Sequence, residues 1–286
     1  MMEKPLQEDR NDSVHFTRHS RAEYNTYIKI KESDNPQAPV DYENQITPDL
    51  NEEGVRLAEQ KTTEFFSRLD PEKDILFFAS SNEARAIETA DIYRRKAKEK
   101  GFEVLKPEHV RSGYAQEVGE GEIRVLQSLS LNVKNMIIFS VFNPDPQQNP
   151  KFIEKLDPET RAKYDVARAV INGHDYGSFG ANFFHYSEKV QEIFPEIKSA
   201  KGMFDGQFRN LLKLARFGRK KAKSSGLEKN VKILAFGHEN YMVHALQEYF
   251  GEHDIKNCET IDVNVDDADA ILTRRGVSKK IKSEMR

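Results

Sequence analysis

Three short segments of this chain carry groups suited to one chemistry. The first is Arg18-His19-Ser20-Arg21, with Asn25 six residues past the histidine. The second is Ser80-Ser81-Asn82-Glu83-Ala84-Arg85-Ala86-Ile87-Glu88-Thr89-Ala90, and the third is Gly237-His238-Glu239. Phosphoryl transfer needs an in-line nucleophile and positive donors for the equatorial oxygens. A neutral imidazole is a nucleophile near pH 7 without a strong base to activate it. Two arginines clamp a phosphate with a fixed fork of donors, and a second histidine adds another when protonated. Nothing in this scheme calls for a metal or a cofactor.

Elements must bring these segments together. Val14-His15-Phe16-Thr17 is β-prone and ends abruptly at Arg18. Asp74 to Ala79 and Val231 to Phe236 are continuous apolar runs, the pattern of strands buried on both faces in a parallel sheet. A helix with Asp49 or Asn51 as its cap carries Leu50, Gly54, Leu57, Ala58, Phe65 and Phe66 on one face. A second helix runs from Asn82 to Lys100 and stops at Gly101. Phe102 to Leu105, Asn135 to Phe142 and Thr260 to Val265 are further candidate strands. Residues 32–48 and 143–150 read as loops, and 157–170 and 181–225 as largely helical. An amphipathic helix through Met242, Leu246 and Tyr249 follows Glu239. The βαβ rhythm predicts an α/β fold, with the three segments converging at the carboxyl ends of the strands.

The motifs resemble those of the histidine phosphatase superfamily, the phosphoglycerate-mutase-like proteins. Arg18-His19-Ser20 followed by Asn25 is similar to its Arg-His-Gly signature, with Ser20 in place of the usual glycine. Leu50, Gly54 and Ala58 resemble its helix signature, Ser80 to Ala90 its second-arginine segment, and Gly237-His238 its second-histidine segment. The motifs stand in family order over about residues 13–110 and 205–265. The resemblance implies a three-layer α/β/α sandwich with a mostly parallel central sheet. It also implies phosphorylation of His19 and a phosphate pocket of Arg18, Arg85 and His238, with Asn25 at its edge and Ser20 and Arg21 as further substrate contacts. The proton donor is left between two places. One branch of the family carries it directly after the second histidine, here Glu239. The other carries it on a loop after the second-arginine helix, where Glu117, Glu120 and Glu122 stand; Glu117 is the choice there.

Residues 1–12 read as a disordered N-terminus, 13–272 as the catalytic domain with a helical insertion at about 143–204, and 273–286 as a basic, solvated tail. The insertion is expected to sit beside or over the pocket. Lysine and arginine number 44 against 47 acidic residues, a formal net charge of −3. So near a balance gives no reason to expect nucleic acid or an anionic membrane as a partner. The single cysteine, Cys258, makes no internal disulfide, and no Cys/His cluster has zinc spacing. His244 lies six residues after His238, not the four that a zinc-protease helix needs. His185 among Phe183, Phe184 and Tyr186 reads as packing. The reading is a cytoplasmic, metal-independent phosphatase for a small-molecule or peptide phosphoester, with inorganic phosphate as product. A phosphomutase, or a catalytically silent phospholigand- or protein-binding member, are the alternatives. Substrate and oligomeric state are not legible.

Overall fold

A computed structural model of the chain describes residues 13–22, 50–81, 84–105, 116–118, 123–125, 156–171, 175–193, 199–206, 212, 228–265 and 270–281. The expectations for 1–12, Asn25, residues 32–48, Glu120, Glu122, Asn135 to Phe142, 143–150 and 282–286 lie outside these residues. Strand β1 is Ser13–Arg18, β2 Asp74–Ser80, β3 Glu103–Val104, β4 Gln116–Val118, β5 Ile123–Val125, β6 Asn230–Gly237, β7 Thr260–Val265, β8 Ala270–Arg274 and β9 Val277–Ile281. Helix α1 is Glu52–Phe66, α2 Ala84–Glu99, α3 Pro158–Ile171 and α4 Phe179–Ile193. The strands form one sheet in the order β4-β5-β2-β6-β1-β7-β8-β9, with β3 also on β2.

Alternation along the buried strands separates two cores. Val14 and Phe16 of β1, Ile75 and Phe77 of β2, and Val231 and Ile233 of β6 face a layer holding Phe204, Met242 and Leu246. Leu76, Phe78, Leu234 and Phe236 face α1 and α2, meeting Phe65, Phe66 and Tyr93. Successive side chains of a strand point to opposite faces, so an unbroken apolar run requires a layer on each side. That makes the three-layer α/β/α sandwich.

The sheet is parallel only in its middle. β6 pairs in parallel with both β1 and β2, and β2 with β3 and β5. β4 and the β7-β8-β9 end are antiparallel. The expected parallel sheet is thus present at the centre, and antiparallel strands flank it at both edges. Parallel neighbours need a long crossover, whereas Arg275 and Gly276, at φ 48° and 80°, join β8 to β9 in two residues and so force a hairpin. The same hairpin gives the basic tail a strand whose residues 277–280 are exposed and whose Ile281 is buried. Val277 to Ile281 is an edge strand, and the Arg274 side chain is 1% exposed.

The helix expected after Glu239 is broken into a 3₁₀ turn at Glu239–Tyr241, a short α segment at Val243–Ala245 and a π turn at Leu246–Phe250. In the stretch between the matched halves, α3 and α4 pack on each other and on Tyr241 and Val243. They therefore rest on the segment that directly follows His238.

Candidate active site

Parallel register assembles the site. Arg18 lies opposite Gly237, and Ser80 opposite Phe236. The next residues of the three neighbouring strands, His19, Ser81 and His238, therefore leave the sheet side by side at its carboxyl edge. The ladder continues one step beyond the strands. The His19 N–H donates to the Gly237 carbonyl at 2.9 Å and the Ser81 N–H to the Phe236 carbonyl at 3.0 Å.

His19 is buried, and its Nδ1 lies 2.6 Å from the Ser20 carbonyl oxygen. A carbonyl only accepts, so Nδ1 carries the proton and the Nε2 lone pair is left in the pocket. Arg85 Nε–H donates to that Nε2 at 3.2 Å. The rings of His19 and His238 are 5.0 Å apart between centroids. His238 Nε2 meets the Ser81 hydroxyl at 2.8 Å. Burial first, then the Arg85 charge, holds both imidazoles well below the usual histidine range, so both are neutral near pH 7.

Arg18 reaches the Glu239 carboxylate at 2.8 Å and the Ile255 carbonyl. Burial raises the Glu239 pKa above its ordinary value, with Arg18 opposing and Asp254 adding to the rise. Two guanidiniums thus face two neutral rings and one carboxyl whose burial favours its neutral form. Such a pocket has an excess of positive charge and suits an anion.

The loop bearing His19 is pinned from several sides. The Ser20 N–H donates to Thr89 Oγ1 at 3.0 Å, and Thr89 donates to the Arg85 carbonyl at 2.7 Å, so α2 holds the histidine and the second arginine together. Asn51 caps α1 through the Gly54 N–H at 2.7 Å. A Cβ on Gly54 would lie 1.9 Å from the Arg21 carbonyl oxygen, so only glycine lets α1 come this close. Ser20 is corrected from a substrate contact to a buried packing residue, because its hydroxyl donates to the Gly54 carbonyl at 2.6 Å.

The structure thus brings Arg18, His19, Arg85, His238 and Glu239 together. Arg21 is paired with Glu53 at the exposed rim of a groove of about 1230 Å³ that Arg18 and Glu239 also line. Glu117 lies on β4, opposite Arg124 of β5, four strand positions from β1. At ~4.8 Å per strand its backbone is about 19 Å from the line of β1. The sequence reading missed Asn257, whose amide donates to the His19 carbonyl at 2.9 Å. No spacing in the sequence marks it, because the two residues stand 238 apart in the chain and meet only where β7 pairs with β1.

No protein-family profile matches the chain, and no curated protein matches it. Among solved structures it is similar to a phosphoglycerate mutase from Bacillus anthracis str. Sterne, at TM-score 0.41 and 14% identity over 97% of this chain and 95% of that one. It is also similar to a phosphoserine phosphatase mutant from Entamoeba histolytica in complex with phosphoserine, at 0.38 and 13% over 96% and 98%. A multiple inositol polyphosphate phosphatase from Bifidobacterium longum matches at 0.38 and 10% over 99% and 88%.

Proposed function

We propose that the protein is a metal-independent phosphatase that hydrolyses a phosphomonoester or phosphoanhydride through a phosphohistidine on His19. The observation that carries this is the tautomer: Nδ1 is held by the Ser20 carbonyl, which leaves Nε2 as the lone-pair nitrogen, turned toward Arg85 and accepting from its Nε–H at 3.2 Å. An incoming phosphate takes over the Arg85 donors. Nε2 attacks phosphorus, an N–P bond forms and the bond to the leaving oxygen breaks. Arg18, Arg85 and His238 stabilise the equatorial oxygens, the usual protein contribution to such a transition state. Glu239 gives its proton to the leaving oxygen. Its carboxylate then takes a proton from water, which attacks phosphorus, breaks the N–P bond and releases inorganic phosphate. Glu239 is favoured over Glu117 because it touches Arg18, whereas Glu117 lies on the edge strand β4, four positions from β1. Helices α3 and α4, seated against Tyr241 and Val243, are assigned to substrate selection.

The test is a screen of the purified protein on small phosphoesters, phosphosugars, nucleotides and phosphopeptides, with His19→Ala as control. A labelled donor followed by an alkaline quench should leave acid-labile, alkali-stable label on His19. Label on another residue, or full activity in His19→Ala, would end the assignment.

A further inference from the structure

We propose that the segment 252–259 is a positioning strap for this site, with Asn257 setting the peptide of the nucleophile and Arg274 anchoring the strap to β8. The inference rests on the phosphatase reading for its kinetic consequence, but not for its geometry.

The strap crosses the start of the catalytic loop and bonds to it repeatedly. The Cys258 N–H donates to the Arg18 carbonyl at 3.0 Å, and the Arg18 N–H donates to the Glu259 carbonyl at 3.1 Å. The Ile255 carbonyl accepts from the Arg18 guanidinium, and the Ile255 N–H donates to the Glu239 carboxylate. Asn257 Nδ2 donates to the His19 carbonyl. That last bond fixes one side of the His19–Ser20 peptide plane, while Thr89 fixes the other through the Ser20 N–H. The plane matters because the next carbonyl, that of Ser20, is the acceptor that sets the imidazole tautomer. A peptide free to rock would move this acceptor and release Nδ1.

The strap is held in turn by Arg274, buried, and by the exposed Arg275, which pairs with Glu252 at 3.1 Å and Glu259 at 2.8 Å. Arg274 donates to Glu259 at 2.8 Å, to Glu252 at 2.8 Å and to the Asp254 carbonyl at 2.8 Å. Arg274 spans both ends and the middle of the segment while itself lying buried. A planar fork with five donors makes three such bonds at once, and a lysine ammonium on a flexible stem does not reproduce that geometry. Cys258 sits at φ 57°, in the left-handed region that a residue with a side chain rarely adopts. Such backbone persists where its surroundings over-determine it, and here it lets the Cys258 N–H and the Asn257 amide address consecutive residues of the loop.

None of these groups reaches the reacting atoms, so the prediction is one of positioning. Asn257→Leu and Asn257→Asp both remove the donor, one without charge and one with it. Both should lower kcat about 10- to 100-fold, the scale of a small misplacement of a reacting group, with KM changed less than about twofold. Histidine ¹⁵N NMR should read a single Nδ1–H tautomer for His19 in the unsubstituted protein and a mixture in both variants. Arg274→Lys should shift kcat in the same direction. Should it fail to fold, the Asn257 pair still decides. A mixed His19 tautomer in the Asn257 variants supports the strap even where the unsubstituted protein turns over no phosphoester, in which case only the phosphatase reading falls. An unchanged His19 signal, or unchanged kcat in a protein that does turn over, overturns the strap.

Discussion

Replacing Glu239 by Gln separates its proton from its shape. The amide keeps an oxygen for the Arg18 guanidinium, now 2.8 Å from the carboxylate, so Arg18 retains a partner in place. What disappears is the group that can protonate a leaving oxygen. A positioned acid contributes ~10²–10⁴ in rate, but only when the leaving group needs a proton. On an alkyl phosphate kcat/KM should therefore fall ~10²–10³-fold, or about 3–4 kcal/mol of transition-state stabilisation. On p-nitrophenyl phosphate the loss should stay below about tenfold, because that oxygen leaves unprotonated. The pH profile carries an independent sign. His19 must be neutral to attack, and burial and Arg85 place its pKa well below 6.5, so the rate is lost as pH falls through that depressed value. Glu239 must be protonated to donate, and burial places its pKa above 4.5 against the pull of Arg18, so the rate is lost as pH rises through the raised value. In Glu239→Gln the second limb should vanish on the alkyl ester and the first should remain. The assay is phosphate release from the two esters across about pH 4 to 8. Equal losses on both esters, or no loss on either, would refute the assignment and leave Glu239 as no more than a partner for Arg18.

Two further outcomes follow from the same geometry. His19 and His238 are held neutral, while the unfolded chain binds their protons near ~6.5. Stability from this source is full above that pH and is lost as pH falls below it, by up to ~1.4 kcal/mol per pH unit for each ring. Thermal melting between about pH 7 and 5.5 should thus fall more steeply in the unsubstituted protein than in His19→Gln/His238→Gln; parallel curves would show that the rings are not neutral in the fold. Gly54→Ala puts a Cβ 1.9 Å from the Arg21 carbonyl oxygen and drives α1 off the catalytic loop. Overpacking of ~1–3 kcal/mol plus a lost Ser20 hydrogen bond of ~1 kcal/mol should lower Tm by about 3–7 °C, with kcat falling alongside. An unchanged Tm would mean that the helix seat is soft.

The chemistry-bearing residues were legible before the fold because local pattern marks them. Arg18-His19, Ser81 and His238 each stand where an apolar or β-prone run stops, and a strand's carboxyl end in an α/β sheet is such a place. Arg85 stands in the first turn of the helix that follows β2. The helix cap at Asn51 and the stop at Gly101, which has φ 83°, are equally local. Periodicity records which side of an element is buried; it does not record against what. That β6 lies between β1 and β2, joining His15 to Leu234, follows from closing the sheet and not from either strand alone. Ser20 looked like a phosphate contact until the approach of α1 at Gly54 claimed its hydroxyl. Arg274 looked like part of a charged tail because the Arg275-Gly276 turn lacks the usual Asn-Gly signature, and its burial depends on acceptors 15 to 22 residues away. Asn257 and His19 meet across 238 residues. Types and spacings along the chain determined which groups suit phosphoryl transfer; only the packed sheet decided that His19, Arg85 and His238 meet in one pocket, because contacts such as Arg85 to His19 and Asn257 to the His19 carbonyl join residues that are neighbours only in space.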